Sequence, residues 1–266
     1  MMKNRFRVNP PIVQSAIAGI ANNDFCQQML DFDAGMVILG GYSIDYANIQ
    51  ATQQVIERGR KEFLTPFDAE ELKKWSENNL FLRKKNTQQI IAANVRLIKI
   101  DEISKLWLSL LVEKVDFIEL NVHCRQKEIL EIGGGQDIVQ ELKILENLLQ
   151  TLHTILEPEK LGIKLRGITI KNRDKLVDLL ETFEIQFLHI DAMIPGENKS
   201  DIQLINDFAK STNIPIIGNN SVISIENVKE MLKAGAVAAS LARPLIDDPK
   251  LMLKLTKQLE GKKYEY

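Results

Sequence analysis

Short apolar runs alternate with longer amphipathic stretches along almost the whole chain. The short runs have the length and the β-branched content of buried strands, whereas the longer stretches repeat apolar residues every three or four positions, as helices do. The clearest helical stripe covers Ile138–Leu156. We predict eight strands, at Ile12–Ala16, Met36–Gly40, Ile90–Val95, Phe117–Val122, Gly162–Arg166, Phe187–Asp191, Ile214–Gly218 and Val237–Leu241.

This alternation predicts an α/β protein built from right-handed parallel βαβ units. Eight units match a (β/α)8 TIM barrel better than an open doubly wound sheet. Neither a solenoid-type repeat nor a low-complexity linker interrupts the pattern. We therefore expect residues 1–266 to form a single domain.

The interval after the second predicted strand is too long for a simple crossover. It has room for helices at Ile44–Gly59 and Ala69–Asn79, with Leu64–Asp68 as a break and Asp68 as the expected N-cap. We predict that this helical insertion after strand two forms either part of a lid or an edge of the barrel mouth. A closing helix is expected at Lys250–Leu259, followed by a short polar tail.

Composition and charge are those of an ordinary soluble globular protein, with 45% hydrophobic and 26% charged residues. The balance of 34 Lys+Arg against 36 Asp+Glu gives no broad field that favours nucleic acid, although it leaves a local basic patch open. No apolar window approaches the length of about 18 residues that a membrane span needs. The N-terminus lacks the apolar core of a secretory signal, so we expect a cytoplasmic protein.

Two cysteines are too few for a disulfide framework, and we expect both to be free thiols, with a Cys26–Cys124 pairing as the alternative. Cys26 lies in a helical pattern, which is typical of a small buried hydrophobe. Cys124 follows the fourth predicted strand and is a candidate nucleophile or acid, because nearby His, Lys or Arg side chains activate thiols. A partly buried structural cysteine is the alternative.

The fourth strand also carries two other polar residues to its carboxyl end, where α/β barrels keep their active sites. Asn121 stands in an otherwise apolar run, and a buried amide needs a partner, so a bound ligand is a reasonable one. His123 has the same parity, but we expect it at the solvated loop.

Strands five and six carry the next candidates. Lys164 alternates with Ile163 and Leu165, which favours an inward ammonium that must meet an anion or an electron-rich cofactor. Arg166 has the same parity and is expected to line the mouth. His189 is the counterpart of Lys164 one strand later; it is either a ligand-contacting group or a satisfied core histidine.

The last two strands end in loops that suit a phosphate. Gly218 permits close backbone approach, Asn219 and Asn220 follow it, and Arg243 can contact a phosphate with two N–H groups. In many barrels these two loops form a phosphate site. Gly133–Gly135 lacks the Lys-Ser/Thr of a P-loop and is interpreted as a flexible connection to a helix that starts near Asp137.

Together these motifs resemble the FMN-dependent (β/α)8 oxidoreductases, and most closely the tRNA-dihydrouridine synthases. Their strand-four motif, Glu/Asp-Leu/Ile-Asn-x-x-Cys-Pro, is similar to Glu119-Leu-Asn-Val-His-Cys124. Their downstream lysine and Gly-rich turn correspond to Lys127 and Gly133–Gly135. Their strand-five lysine, strand-six histidine, Asn-Gly-Asp loop and final Gly-Arg fall on Lys164, His189, Asn219-Asn220 and Ala242-Arg243. Ala16–Ala21 looks like the first FMN-contacting loop.

This resemblance implies FMN over the barrel mouth, with NADPH or NADH as candidate electron donor and no metal. Reduced flavin would pass hydride to a pyrimidine C=C bond, with the pyrimidine free or in tRNA, and Cys124 would supply the proton. Asn121 and Arg166 would bind substrate, and Lys164 and His189 would join Cys124 as catalytic residues. The implied cofactor-binding residues are Ser15, Ala16, Asn94, Lys164, His189, Gly218, Asn219, Asn220, Ala242 and Arg243.

The chain departs from the family pattern in several places. Arg125 replaces the proline after the cysteine, Asn220 and Ala242 replace glycines of the phosphate loops, and Ile190-Asp191 replaces Gly-Arg after the histidine. The 266 residues show no counterpart of the helical domain that holds tRNA, so we expect the FMN barrel to be retained better than the tRNA substrate. A dihydroorotate- or dihydropyrimidine-dehydrogenase-like enzyme and a non-catalytic flavin- or phosphate-binding barrel remain alternatives.

Overall fold

Eight parallel strands close into a barrel in chain order in the computed structural model, which describes residues 6–63 and 69–260. Each strand pairs with its sequence neighbours, and β1 pairs with β8 to complete the ring. The (β/α)8 prediction is therefore confirmed. The strands are β1 Ile12–Gln14, β2 Met36–Ser43, β3 Ile90–Arg96, β4 Phe117–Val122, β5 Leu161–Arg166, β6 Leu188–Asp191, β7 Ile216–Asn219 and β8 Ala238–Leu241.

Helices occupy the intervals between the strands and cover the outside of the barrel. They are α1 Asn23–Asp31, α2 Tyr46–Glu57, α3 Ala69–Asn79, α4 Glu102–Val112, α5 Lys127–Glu131, α6 Leu142–Leu152, α7 Arg173–Thr182, α8 Ile202–Ser211, α9 Ile225–Lys233, α10 Pro244–Asp247 and α11 Lys250–Glu260. In the part of the chain that the structure describes, none of these helices is both long and apolar enough to cross a membrane.

Several helices begin at short polar residues whose side chains accept a backbone N–H of the first turn. Such caps satisfy donors that have no partner inside the helix, and losing one typically costs about 1 kcal/mol. At α4 the cap is reciprocal, because Asp101 accepts from the Ser104 N–H while the Ser104 hydroxyl bonds the Asp101 backbone. The other capping residues are Asn22, Asp45, Asn172, Asp201 and Ser224.

The predicted insertion after β2 is present as α2, a 3₁₀ turn at Lys61–Phe63 and α3. The predicted break at Leu64–Asp68, with Asp68 as its cap, lies outside the described residues. The closing helix is confirmed as α11, and the predicted tail also lies outside the described part of the chain.

The predicted helix over Ile138–Leu156 is too long at both ends. The segment Gly135–Gln140 forms a 3₁₀ turn, and α6 begins only after Glu141, whose ψ of 89° is not helical. The 3₁₀ turn also buries Ile138 and Val139, so its apolar positions continue the stripe without continuing the helix. Asp137 lies inside this turn and caps no helix.

The inward side chains of the barrel divide into layers. At the amino ends of the strands, Phe6 stacks on Phe187 at 4.7 Å between ring centroids and meets Phe117 edge-on at 5.3 Å. Gly162 leaves room for this plug, since a Cβ there would lie 2.2 Å from the Phe187 ring. The barrel is closed with hydrocarbon at this end, and the next inward layer, towards the carboxyl ends, is polar.

Candidate active site

A cavity of about 530 Å³ opens at the carboxyl ends of the strands. Small-molecule sites typically measure about 300–1,000 Å³, so this cavity can hold a ligand of cofactor size. All but two of the predicted site residues line it, namely Ser15, Ala16, Asn94, Asn121, Cys124, Lys164, Arg166, Asn219, Asn220, Ala242 and Arg243. The predicted first FMN-contacting loop also lines it, through Ile17, Ala18 and Ile20.

His189 is one of the two predicted residues that do not line the cavity. Its side chain is fully buried below the cavity floor, with Nδ1 2.7 Å from Oε2 of Glu119 and Nε2 2.7 Å from the Ser240 hydroxyl. Burial lowers the pKa of His189, so the ring is neutral and donates through one nitrogen only. A carboxylate can only accept, so Nδ1 carries the proton and Nε2 accepts from Ser240.

Gly218 is the other residue outside the cavity. It has outward parity on β7, and a Cβ at this position would lie 2.6 Å from Sδ of Met231 on α9. The prediction that Gly218 opens the backbone to a phosphate is therefore corrected, because its missing side chain makes room for a helix.

Lys164 points inward, as predicted. Its Nζ donates to the Ser15 hydroxyl at 2.5 Å, and the side chain is buried. Burial lowers the pKa of Lys164, while the charges of Glu119 and Asp191 act in the opposite direction. The ammonium therefore lies at the cavity floor with carboxylates nearby, and Ser15 is the one hydrogen-bond partner that it has among residues 6–63 and 69–260.

A chain of buried hydrogen bonds fixes the floor beside Lys164. The Asn121 amide donates to Oδ1 of Asn94 at 2.8 Å, and the Asn94 amide donates to Oε1 of Glu119 at 2.6 Å. Burial alone would raise the pKa of Glu119, but His189, Lys164 and Asn94 together lower it. Glu119 is therefore an ionised carboxylate that orients the neighbouring polar side chains.

The loop that carries Cys124 is held from two sides. Oδ1 of Asn121 accepts from the backbone N–H groups of His123 and Cys124, both at 3.1 Å. The Cys124 carbonyl accepts from Gln136 N–H at 2.9 Å, and Gly135, at φ 58°, packs directly against that carbonyl. The Gly-rich turn, which we predicted to be a flexible connection, thus supports the thiol.

Four polar side chains meet at the mouth of the cavity. Nε2 of His123 lies 2.8 Å from Oδ2 of Asp191, which also pairs with Arg166 at 3.1 Å, while Asn220 donates to Oδ1 of Asp191 at 2.9 Å. Burial lowers the pKa of His123 to about 4, so the ring is neutral near pH 7. His123 therefore belongs to an ordered cluster, although it lies in the loop after β4 as expected and its side chain is still 26% exposed.

The rim near the last two strands carries the predicted phosphate residues. Asn219 donates to the Ser240 hydroxyl at 2.7 Å, and Arg243 is exposed at the N-terminus of α10. The loop after β7 contains two consecutive left-handed residues, Asn220 (φ 105°) and Ser221 (φ 48°). Lys127, in contrast, is exposed on α5 and forms an ion pair with Glu131 instead of lining the cavity.

Sequence reasoning missed three charged members of this site. Glu119, Arg96 and Asp191 each stand two residues from a predicted site residue on the same strand, and so share its inward parity. That alternation was the available signal.

Cys26 is buried as predicted, with its thiol 3.1 Å from Oε1 of Gln14, and both cysteines are free.

Fold and cavity together define a (β/α)8-barrel protein with a polar, cation-rich site at the carboxyl ends of its strands. The chain belongs to the dihydrouridine synthase (Dus) family, whose model matches residues 82–265. The protein is therefore a dihydrouridine synthase-like oxidoreductase, and its family implies a flavin cofactor.

Two relatives differ in how much of the chain they match. An uncharacterized protein of Methanocaldococcus jannaschii is 36% identical over 236 residues, which is 85% of this chain and 86% of that protein. A Xenopus laevis protein named tRNA-dihydrouridine(47) synthase, NAD(P)(+)-like, is 24% identical over 151 residues. The match covers 54% of this chain but only 23% of the Xenopus protein.

Among solved structures, DHODH from Eimeria tenella in complex with ferulenol superimposes with a TM-score of 0.64. The match covers 94% of this chain and 80% of that one at 13% sequence identity. At this identity the likeness supports the barrel fold alone.

Proposed function

We propose that the protein is an FMN-dependent oxidoreductase that reduces the C=C bond of a pyrimidine, with Cys124 as the proton donor. The observation that carries this proposal is the convergence of Cys124, Asn121 and Lys164 on one cavity at the barrel mouth. These side chains come from separate positions on β4, β5 and the loop after β4. Their convergence is what an active site built at strand ends requires.

The residues present fit a flavin mononucleotide. Lys164 offers a buried cationic donor at the floor, where an electron-rich ring edge would compensate its charge. Nε of Arg166 is buried without a hydrogen-bond partner among the described residues, as expected where a ligand supplies the acceptor. Arg243 and Asn219 would hold the phosphate at the rim, since an arginine can contact a phosphate with two N–H groups.

The bound flavin would supply a hydride to one carbon of the substrate C=C bond. Cys124 would then break its S–H bond and transfer that proton to the adjacent carbon, which leaves a thiolate. Asn121 holds the loop backbone, so its main contribution is to fix the thiol in position. Ser15 orients the Lys164 ammonium towards the cofactor.

The mouth cluster would bind the substrate. A pyrimidine presents carbonyl acceptors and an N–H donor, and the cluster offers Arg166 as donor and Asp191 as acceptor. The family relationship supports a uridine of tRNA as this pyrimidine, and a free pyrimidine is the alternative. NADPH or NADH is the candidate reductant of the flavin.

An absorption spectrum of the purified protein tests the cofactor. We expect the flavin bands in the near-UV and blue, in the protein as isolated or after FMN is added. The reduced protein would then be mixed, in the absence of oxygen, with one of three candidate substrates: unmodified tRNA, uridine or orotate, the oxidised form of dihydroorotate. Buffer alone is the control. Flavin reoxidation by tRNA alone supports the tRNA reaction, and reoxidation by a free pyrimidine supports the alternative.

If the protein carries no bound flavin, either as isolated or after FMN has been added, the proposed function is contradicted. Protein that binds FMN but is not reoxidised by any of these pyrimidines would favour a non-catalytic flavin-binding barrel. The electron donor is identified by comparing the rates at which NADPH and NADH reduce the flavin, measured as the loss of its blue absorption.

A further inference from the structure

His123 bonds the protein through one ring nitrogen and leaves the other open. Its Nε2 lies 2.8 Å from Oδ2 of Asp191, whereas Nδ1 has no hydrogen-bond partner among residues 6–63 and 69–260. The side chain lines the cavity, and Nδ1 is not one of the buried polar atoms of the described chain that lack a partner. Nδ1 is therefore open to a molecule bound at the cavity mouth.

Asp191 decides which ring nitrogen carries the proton. Burial lowers the pKa of His123 to about 4, so near pH 7 the ring is neutral and has one N–H group. Burial alone would raise the pKa of Asp191, but the hydrogen bond from His123 and the charge of Arg166 hold that pKa below its usual range. An ionised carboxylate only accepts, so the proton is on Nε2 and Nδ1 presents a lone pair.

Asp191 already has donors on both of its oxygens. Oδ2 contacts His123 at 2.8 Å and Arg166 at 3.1 Å. Oδ1 accepts from the Asn220 amide at 2.9 Å and from the Met193 backbone N–H at 3.1 Å. These four contacts match the roughly four lone-pair sites of a carboxylate. A substrate N–H that used Asp191 directly would displace one of these donors, whereas Nδ1 of His123 accepts without displacing any.

A donor lies beside this acceptor. Nη2 of Arg166 is 3.3 Å from Nε2 of His123, and Nε of Arg166 is buried without a partner among the described residues. A uracil ring presents an N–H donor at N3 between two carbonyl acceptors, which complements an acceptor and a donor side by side. Cytosine has an unprotonated nitrogen at N3, so its lone pair would face that of Nδ1. The mouth therefore suits the imide edge of uracil and not the corresponding edge of cytosine.

We propose that His123 is a specificity-determining residue, whose Nδ1 accepts the N3–H of a uracil ring while Arg166 donates to a neighbouring carbonyl oxygen. Asp191 is a positioning residue in this arrangement, because it fixes the ring and its tautomer through Nε2. The inference rests on the proposed function for the reaction that follows binding, and it adds the residue that selects the base.

Nitrogen NMR of the histidine rings tests the open nitrogen without any need for flavin or turnover. The chain has three histidines, so the ring spectrum is simple, and sequential assignment identifies His123. Proton–nitrogen correlation spectra distinguish protonated from unprotonated ring nitrogens. We expect Nδ1 to be unprotonated near pH 7 and its signal to shift when uridine is added. 3-Methyluridine, which has a methyl group in place of the N3 hydrogen, should leave the signal of Nδ1 unshifted.

Calorimetric titration measures the selection itself. Wild-type protein should bind uridine about five- to tenfold more tightly than either 3-methyluridine or cytidine, because neither analogue donates a hydrogen bond to Nδ1. His123→Phe keeps a ring of similar shape but removes the acceptor, so both ratios of Kd values should fall to within about twofold of one. His123→Gln should retain part of the preference, since its amide donates to Asp191 and still presents an oxygen.

The controls separate the hydrogen bond from other causes. Cytidine adds no bulk at N3, so a loss of affinity shared with 3-methyluridine is not steric exclusion of the methyl group. His153→Phe is the matched variant, because His153 lies at the end of α6 and does not line the cavity. It should keep the wild-type ratios.

An unchanged preference for uridine over cytidine in folded His123→Phe protein, judged by its circular dichroism, would overturn the inference. A protonated Nδ1 in the wild-type protein, or an Nδ1 signal that uridine does not shift up to its solubility limit, would also overturn it. Failure of the proposed function shows separately, as protein that binds no flavin, or whose flavin no pyrimidine reoxidises, while uridine still shifts Nδ1.

Discussion

His123 and Asp191 form an ion-pair-like contact at the cavity mouth, with Nε2 of the ring 2.8 Å from Oδ2 of the carboxylate. The contact joins the loop after β4 to the end of β6, two segments 68 residues apart in the chain. Burial and the charges of Lys164 and Arg166 keep the ring neutral, although Asp191 opposes this. The cluster is therefore ordered by charge yet contains a histidine that resists protonation.

This resistance predicts a pH-dependent stability. The pKa of His123 is about 4 in the folded protein and about 6.5 in an unfolded chain, so between these values the unfolded chain binds the proton. The free energy of unfolding should therefore fall as the pH drops from 7 to 5. His123→Asn should reduce that fall by about 2 kcal/mol, measured by urea denaturation at both pH values.

His153→Asn is the matched control for this prediction. His153 is partly exposed at the end of α6, so its replacement should change the slope much less. The buried neutral His189 contributes a slope of the same sign in all variants, and loss of the Asp191 contribution begins only at lower pH. Equal slopes in wild type and His123→Asn would contradict the assignment of a neutral ring.

Cys124→Ala should keep flavin binding and lose turnover. A positioned acid typically contributes about 10²–10⁴-fold to a rate, so substrate-dependent flavin reoxidation should slow by that factor. Cys26→Ala removes a thiol outside the cavity and should leave the reoxidation rate close to wild type. Full activity of Cys124→Ala would refute the role as proton donor.

Arg243→Ala should weaken FMN binding. A charge-assisted hydrogen bond contributes about 1.5–3 kcal/mol, which corresponds to a rise in Kd of about 10- to 150-fold. Fluorescence titration of the apoprotein with FMN and with riboflavin checks this. The substitution should raise the Kd of FMN but leave unchanged the Kd of riboflavin, which has no phosphate. An equal rise in both Kd values would count against the phosphate assignment.

Two glycines of one turn offer a matched pair. Both Gly133 (φ 73°) and Gly135 (φ 58°) are left-handed, so alanine at either strains the backbone by about 1–2 kcal/mol. A Cβ at Gly133 meets open space, whereas one at Gly135 would lie 2.2 Å from the Cys124 carbonyl oxygen. Gly135→Ala should therefore also slow turnover and the alkylation of the Cys124 thiol by iodoacetamide, because the added Cβ displaces the loop that holds this thiol.

Gly133→Ala supplies the baseline for that comparison, measured by the same alkylation and by thermal unfolding. Similar effects of the two substitutions on alkylation would show that the turn does not position the thiol.

The architecture follows from local pattern. Each strand is a short apolar run, and each helix repeats its apolar residues at helical spacing, so the eight strands were placed within about three residues of their observed ends. Helix boundaries were harder to predict, because the 3₁₀ turn before α6 buries Ile138 and Val139 in the same stripe. The assignment of residues 1–266 to a single domain stays a prediction.

Strand alternation also placed much of the site. Lys164 and Asn121 stand out as polar residues with inward parity, and both line the cavity. The same rule correctly predicted that the His189 side chain points into the barrel. It could not predict the position of His189 along the barrel axis, because that position depends on how far each strand is staggered. His189 lies below the floor for that reason, with Glu119 and Ser240 as its partners.

The sequence by itself determined the fold class, the inward parity of the polar side chains and the strand ends at which they gather, because periodicity is a local property of the chain. Only the tertiary structure decided which groups meet. His123 contacts Asp191 and Gly218 faces a helix, since each of these contacts depends on the shear of a closed barrel and on where a distant loop returns.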